Sequence, residues 1–174
     1  MLNIILTGID FNKKYNNIEL IKLTNKNELH NGYQYITGLN IDILDNDLNY
    51  TKKGFYFIKK SEMYKWLSYN KQSMKWMRTV SIPDDAKIII NDNYFKCDKF
   101  ILGNRENIVL DYEMCKTAVK YNGLLLYFMI KHTNEGLPMH LTINSELYML
   151  AIKNNPDVIY YIKDLLYDVK PSKL

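Results

Sequence analysis

The chain has 174 residues, of which 47% are hydrophobic, and its formal charge is +4 at pH 7. These values suit one folded domain with a small appendage, and they exclude wholesale disorder. The charge is almost entirely lysine, with Arg78 and Arg105 as the only arginines, so the composition gives little support to nucleic-acid binding.

Cysteine, histidine and apolar runs limit the remaining classes. Cys97 and Cys115 form no CxxC pair, and three histidines do not supply the spacing of a closed zinc site. Residues 1–14 lack the features of a signal peptide, and the longest apolar run, 124–130, is too short to span a membrane. We therefore expect an intracellular protein with no metal and no membrane contact, and we interpret the terminal Ser172-Lys173-Leu174 as a coincidental match to a peroxisomal signal.

The first third of the chain predicts strands. An apolar run at 2–6 favours a strand, followed by a polar, turn-rich connection at 11–17 and a second apolar stretch at 18–23. Asn31-Gly32 is a strong turn dipeptide that leads into another strand. Residues 39–43 alternate between apolar and polar, which is typical of a half-buried strand.

Residues 54–103 contain both tryptophans and a strand–helix–strand pattern. Residues 55–58 are rich in strand-forming side chains. Ser61 has the character of an N-cap, and the residues after it place Met63, Trp66 and Leu67 on one face of a short helix. Further strands are predicted at 74–82 and 87–90, with 94–102 as the hairpin partner of the latter.

Residues 111–128 match residues 144–161 at a constant offset of 33 residues. Asp111 and Asn144 are good N-caps, and Pro156 suits the first position of a second helix. Each copy therefore predicts a helical hairpin, which buries its apolar face only by stacking. The identical pairs are Glu113/Glu146, Ala118/Ala151, Lys120/Lys153, Asn122/Asn155 and Tyr127/Tyr160.

The predicted fold class is α+β: a mostly antiparallel β-sheet domain with one short helix, followed by two α-helical hairpins packed on it. The predicted β-rich domain covers residues 1–104, and the repeat region covers residues 105–174. The hairpins are predicted at 111–131 and 144–168. Two hairpins are too few for a free solenoid, so we expect them to need a β-rich support.

Several segments resemble an N-terminal domain of proteins from mimivirus-family giant viruses, in which it often precedes helical or ankyrin-type repeats. The resemblance covers roughly residues 18–165, and residues 113–123 (EMCKTAVKYNG) look like the repeats that follow that domain. It implies a giant-virus protein in the host cytoplasm or virion, and it implies no catalytic residue. This chain departs from the pattern in having two repeats where relatives carry many. The segments are 30–40 (HNGYQYITGLN), 54–57 (GFYF), 76–80 (WMRTV), 82–86 (IPDDA) and 95–102 (FKCDKFIL).

A more distant similarity concerns the ADP-ribosyltransferase fold. A Gly-x-Tyr-Phe strand, a short helix and a strand like 77–81 are similar to part of that fold. The analogy would make Tyr56 stack on the nicotinamide of NAD, with Ser61 and Tyr64 bordering the same cleft. The roles of an early His or Arg and of a late Glu are unfilled, because the early strand ends Lys22-Leu23-Thr24 and the late one offers only Asp98.

Two other constellations have simpler interpretations. The aromatic residues of 55–76 with their flanking lysines could stack nucleic-acid bases, but most of them fall at core spacing. His132, His140 and Glu135 lie in the loop between the repeats without a ligand spacing, so we interpret them as solvated loop residues.

The sequence therefore favours a non-catalytic protein-interaction module without a cofactor, with a host or viral protein as partner and a homodimer as a further option. The alternative is a divergent or degenerate ADP-ribosyltransferase-like enzyme that uses NAD. A minor structural protein of the virion is the third hypothesis.

Overall fold

A computed structural model describes residues 4–42, 54–69, 72–134 and 144–167. Antiparallel strands and several helices make up these residues, and the predicted α+β class is confirmed. The strands are β1 Ile4–Thr7, β2 Leu20–Thr24, β3 Leu29–His30, β4 Tyr33–Gln34, β5 Gly38–Ile41, β6 Phe55–Lys59, β7 Ser68–Tyr69, β8 Gln72–Ser73, β9 Trp76–Ser81, β10 Lys87–Ile90, β11 Phe95–Cys97, β12 Lys99–Leu102 and β13 Glu106–Asn107. The helices are α1 Gly8–Lys14, a 3-10 helix Lys60–Trp66, α2 Tyr112–Tyr121, α3 Leu125–Asn134, α4 Ser145–Asn154 and α5 Val158–Tyr167.

The chain divides into two compact units. The first contains residues 1–63 and 74–106, and the second contains residues 64–73 and 107–174. Residues 64–73, which lie inside the predicted β-rich domain, thus group with the helices. Trp66 belongs to the second unit and Trp76 to the first.

The first unit is built on an antiparallel sheet. Eight strands follow one another in the order β1-β10-β11-β6-β2-β9-β12-β5. One face carries large apolar side chains from most of these strands, because cross-strand partners such as Phe95 and Phe57 point to the same side. Phe11 of α1 packs against both of these rings, with centroids 5.1 Å and 5.8 Å away.

The polar connection predicted at 11–17 is wrong for its first residues, which belong to helix α1. Thr7 caps the helix, since its Oγ1 accepts from the Asp10 backbone N–H at 3.2 Å. Asp10 in the first turn and Lys13 and Lys14 in the last match the helix dipole. The asparagines that follow and Gly8 are weak helix formers, and they concealed these signals in the sequence.

The turn predicted at Asn31-Gly32 is confirmed. Leu29 pairs with Gln34 and His30 with Tyr33, which leaves a two-residue loop. Asn31 has φ 51° and Gly32 has φ 81°, as a hairpin turn with both central residues in the left-handed region requires.

The alternating strand predicted at 39–43 forms as β5, but its polar residue is the buried one. Asn40 is fully buried, whereas Leu39 and Ile41 are exposed. The Asn40 amide is satisfied by the preceding loop: its Nδ2 donates to the Ile36 and Gly38 carbonyls, and its Oδ1 accepts from the Ile36 N–H. These hydrogen bonds to the loop allow the polar side of this strand to face the core.

The hairpin partner predicted at 94–102 divides at Asp98 into two strands. β11 pairs with β10 and β6, whereas β12 pairs with β9 and β5. Asp98 stabilises the division, because its Oδ1 accepts from the Lys87 N–H at 2.9 Å and its carbonyl accepts from the Asp42 N–H at 2.8 Å.

The helix predicted at Ser61 is a 3-10 helix that begins one residue earlier, at Lys60. Met63 and Leu67 are buried and Trp66 is partly buried, in agreement with the apolar face predicted for this helix. Ser61 lies inside the helix and is exposed, so it does not act as the predicted N-cap.

The second unit contains the helices predicted from the internal repeat. Asp111 and Asn144 are confirmed as N-caps, accepting from the N–H groups of Met114 and Leu147 at 2.8 Å and 3.1 Å. Asn122 and Asn155 end the first helix of each copy, as predicted. Each asparagine also accepts a backbone N–H two residues later, so Pro156 lies in a turn before α5 rather than in its first position.

Within the described ranges, none of the helices combines the length and the apolar character that spanning a bilayer requires.

Candidate functional sites

The three residues suggested by the ADP-ribosyltransferase analogy lie in different surroundings. Tyr56 is half-buried in β6, with its ring 5.2 Å from that of Tyr94 and 6.3 Å from that of His30. Ser61 is exposed in the first unit. Tyr64 belongs to the second unit, where its ring lies 5.5 Å from that of Tyr121. The assignment of the three residues to NAD stays a prediction.

The candidate metal ligands Glu135 and His140 lie outside the described residues, as does the side chain of His132. In the part of the chain that the structure describes, His, Cys, Asp and Glu side chains nowhere form a group of three that could hold a metal ion. Cys97 and Cys115 are buried free thiols.

A buried ion pair between Glu28 and Arg78 lies at the edge of the first unit's core. Arg78 donates twice to the carboxylate, from Nε at 2.7 Å and from Nη2 at 2.9 Å. Its remaining nitrogen, Nη1, donates to Thr37 Oγ1 at 2.8 Å and to the Gly103 carbonyl at 2.7 Å. The guanidinium is thus almost fully satisfied, which a buried arginine requires.

Glu28 is held by more than Arg78. The hydrogen bond from Arg78 lowers the pKa of this carboxyl, and the Thr24 hydroxyl contributes a further bond at 3.3 Å. Arg105 approaches to 3.9 Å and stacks its guanidinium 4.4 Å from the Trp76 ring. Both arginines of the chain therefore form ion pairs with the Glu28 carboxylate. The sequence did not indicate this cluster.

Lys22 of β2 is the second buried cation of this core. Only 6% of the residue is exposed, and its Nζ lies 4.9 Å from the centroid of the Tyr35 ring. Burial lowers its pKa to about 8, and the nearby Cys97 opposes that shift. The signal in the sequence was a lysine between Ile21 and Leu23 in an apolar stretch, where neither face of the strand is solvated.

The groups around Lys22 are themselves perturbed. Burial raises the pKa of Tyr35 and that of the Cys97 thiol, so both stay protonated at neutral pH. Burial, and then the charge of Lys22, lower the pKa of His30. This cluster combines an amine, an imidazole and a thiol in one part of the core.

The two helical hairpins of the second unit pack closely together. Gly123 lies so near the backbone of α4 that a Cβ atom there would be 2.4 Å from the Ala151 carbonyl oxygen. Its N–H donates to Asn154 Oδ1 at 2.7 Å, and Asn154 Nδ2 donates to the Lys120 carbonyl at 2.8 Å. Lys116 adds an ion pair with Glu146 at 2.9 Å.

The second hairpin exposes the residues that correspond to this interface. At the offset of 33 residues, the buried Gly123 and Leu126 correspond to the exposed Pro156 and Ile159. Lys116 and Tyr127, both partly buried, correspond to residues that are 66% exposed. We call the four exposed positions the open face: Met149, Pro156, Ile159 and Tyr160.

Comparisons with known proteins give partial matches. No protein-family model matches the chain, and no solved structure matches it. "Putative ankyrin repeat protein L797" of Acanthamoeba polyphaga mimivirus is 29% identical over 106 residues, which are 59% of this chain and 22% of that protein. "Putative ankyrin repeat protein R868" of the same virus is 39% identical over 70 residues, 37% of this chain and 32% of that protein.

The chain thus spans between about a fifth and a third of the length of these two relatives. The similarity supports the predicted relationship to giant-virus repeat proteins, while the position of a shared domain within them stays a prediction. This chain is therefore similar, over part of its length, to mimivirus proteins that are named for ankyrin repeats.

Proposed function

We propose that this protein is a non-catalytic protein-interaction module and that the open face of its second hairpin binds the partner. The names of the mimivirus relatives support this function, since ankyrin repeats are helical hairpins that stack into binding surfaces. The offset of 33 residues between the copies equals the usual ankyrin repeat length of about 33 residues. The open face is the observation that carries the proposal.

We infer the kind of partner from the interface between the two hairpins of the second unit. At three of the corresponding positions, Lys116, Gly123 and Tyr127, the first hairpin contacts the second, so the open face can accept another hairpin in the same way. Met149 stands where the first hairpin has the partner-contacting Lys116, and Ile159 keeps the apolar character of Leu126, so both positions of the open face are apolar. Lys163 lies beside this face, with its Nζ 5.7 Å from the Tyr160 ring. The proposed partner is a helical hairpin that presents small residues where Ala151 lies.

The test compares the wild-type chain with a Met149→Lys/Tyr160→Lys double variant and a Val109→Lys control. Val109 is 56% exposed in the same unit and lies outside the helices, so the control adds one lysine, against two in the variant, at a comparably exposed position. Proteins captured from infected host cells are identified, and their binding is then measured with purified components. We expect a partner with helical hairpins whose affinity falls at least tenfold for the double variant alone.

Two results would overturn the proposal. One is that no captured protein binds the purified wild-type chain, and the other is that the partner binds the double variant as well as the control. Analytical ultracentrifugation of the purified chain tests whether a second copy of the chain occupies the open face. A dimer that the double variant abolishes would make a second copy, rather than a hairpin partner, the occupant of the open face.

The alternative function, an ADP-ribosyltransferase-like enzyme, gains support from one observation. The His30 ring lies 6.3 Å from the Tyr56 ring. His30 is therefore a candidate for the early histidine that the analogy requires and that the sequence alone did not supply. NAD turnover that is lost in Tyr56→Ala would establish this alternative, whereas absence of NAD binding to the wild-type chain would remove it. Detection of the protein in purified particles tests the third hypothesis, a role in the virion.

A further inference from the structure

The first hairpin of the second unit supplies hydrogen-bond donors to the second hairpin where the two pack together. The Tyr112 hydroxyl donates to the Glu146 carboxylate, and the Lys116 ammonium lies 2.9 Å from the same carboxylate. The Gly123 N–H donates to Asn154 Oδ1 at 2.7 Å. The interface between the hairpins therefore includes a positive charge and a backbone donor from the first hairpin.

The open face does not repeat these two donors. At the offset of 33 residues, Met149 stands where the first hairpin has Lys116, and Pro156 stands where it has Gly123. The methionine thioether carries no charge and no N–H group, and proline has no backbone N–H. A hairpin that packs on the open face as the second packs on the first would therefore meet neither donor.

Polar residues at or near the open face do not replace what is lost. Ser145 keeps a hydroxyl, but its side chain is shorter by a ring than the tyrosine to which it corresponds. Lys153 corresponds to Lys120, whose backbone carbonyl accepts a hydrogen bond from the Asn154 amide across the interface. Lys163 belongs to α5, whereas the ion pair between the hairpins is made by α2, the counterpart of α4.

Pro156 also changes the kind of contact that a partner can make. A Cβ atom at Gly123 would lie 2.4 Å from the Ala151 carbonyl oxygen, so backbone meets backbone at this point of the interface. The pyrrolidine ring of Pro156 fills the corresponding space, and a docked helix meets a side chain there instead. Met149 and Ile159, which are 66% and 48% exposed, add apolar surface on the same face.

We propose that the open face selects helical hairpins that are apolar where Glu146 and Asn154 lie, and discriminates against hairpins that carry this polar pair. This inference rests on the proposed function and adds the chemistry of the partner to it. A carboxylate and an amide at those positions would lose water without gaining the donors that Lys116 and Gly123 provide. Stacks of identical hairpins therefore do not grow from the open face.

The experiment titrates the full-length chain into two dye-labelled synthetic peptides and measures their fluorescence anisotropy. The polar peptide has the sequence of residues 144–167, and the apolar peptide carries Glu146→Leu and Asn154→Leu in addition. Both peptides also carry Met149→Lys and Tyr160→Lys, which prevent binding between peptides. We expect the apolar peptide to bind the wild-type chain about tenfold more tightly than the polar peptide does, because each contact is partly exposed and weak alone.

A Met149→Lys/Pro156→Gly variant of the full-length chain restores both donors and is the matched comparison. We expect this variant to bind the polar peptide more tightly than the apolar one. A higher helix content of the apolar peptide cannot cause such a reversal, since both chains are titrated into the same peptides.

Equal affinities of the wild-type chain for the two peptides, or a preference that the variant does not change, would overturn the inference and leave the open face as an unselective binding site. Binding of neither peptide to the wild-type chain would overturn it as well. The proposed function is tested separately, by the partner captured from infected cells and the Met149→Lys/Tyr160→Lys variant.

Discussion

The buried carboxylate of Glu28 binds together parts of the first unit that are distant in the chain. Its backbone has φ 54°, in the left-handed region that glutamate rarely adopts, at a cost of about 1 kcal/mol. The turn beginning at Asn25 holds it there, since the Glu28 N–H donates to the Asn25 carbonyl. Arg78 then connects this turn to β9, to Thr37 and to the Gly103 carbonyl.

We predict that Glu28→Gln lowers the free energy of unfolding of the first unit by about 3 kcal/mol, because Arg78 is left as an uncompensated buried charge. Urea unfolding followed by circular dichroism at pH 7 measures the change. The control is Glu19→Gln, which removes the exposed partner of Lys60 at 3.2 Å and should change stability by less than about 1 kcal/mol. Equal effects of the two substitutions would contradict the prediction.

The effect of Glu28→Gln should depend on pH in a defined direction. Because Arg78 lowers the pKa of Glu28 below its usual value of 4.5, the unfolded chain binds the proton at higher pH than the folded chain does. The contribution of the pair is therefore complete above pH 4.5 and disappears as the pH falls through the folded-state pKa. A difference between wild type and variant that grows on acidification would contradict this assignment.

At individual positions, sequence patterns predicted chain conformation better than burial. Asn31-Gly32 specified its turn because few dipeptides tolerate two positive φ angles. The alternating pattern could not indicate that Asn40 is buried, because its burial depends on the fold of the preceding loop, whose Ile36 carbonyl accepts from its amide. The apolar neighbours of Lys22 were a signal of its burial, but they did not indicate its contact with the Tyr35 ring. The candidate cluster around Lys22 was missed for this reason.

Among the elements, the two helical hairpins are the clearest case of a fold that could be read from the sequence. Caps at Asp111 and Asn144 and the small residues Ala118 and Ala151 are local signals, and all four have the expected roles or burial. Helix α1 and the division of a strand at Asp98 were missed. Weak helix formers hid the first, and the second depends on hydrogen bonds to Lys87 and Asp42.

We predict that Gly123→Ala destabilises the second unit by about 1–3 kcal/mol, because the new methyl group collides with the Ala151 carbonyl and must separate the hairpins. Thermal unfolding followed by circular dichroism would measure the loss. Pro156→Ala is the matched control, since Pro156 is the exposed equivalent of Gly123. An unchanged midpoint for Gly123→Ala would show that the hairpins are not in close contact.

At the scale of the whole molecule, two separate segments of the chain, residues 64–73 and 107–174, form the second unit. Residues 64–73 belong with the helices although the β-rich unit continues after them. Patterns within residues 54–103 predicted local elements, but they could not indicate which unit each element joins. The ring contact between Tyr64 and Tyr121, more than fifty positions apart, is an interaction that no local pattern contains.

A fragment of residues 105–174 should consequently unfold at a lower temperature than the second unit of the full chain, because it lacks residues 64–73. We expect a synthetic peptide of residues 62–75 to raise its midpoint, and the same peptide with Tyr64→Ala to raise it less. Circular dichroism of the fragment with each peptide provides the measurement. A midpoint that neither peptide changes would mean that residues 107–174 are stable alone.

The placement of the two tryptophans gives the molecule a built-in pair of optical reporters. Trp76 lies in the first unit with the Arg105 guanidinium 4.4 Å from its ring, and Trp66 lies in the second. Trp66→Phe therefore leaves a single tryptophan that reports on the first unit, and Trp76→Phe leaves a single tryptophan that reports on the second. Emission spectra of the two variants can distinguish concerted melting from stepwise melting without any attached dye.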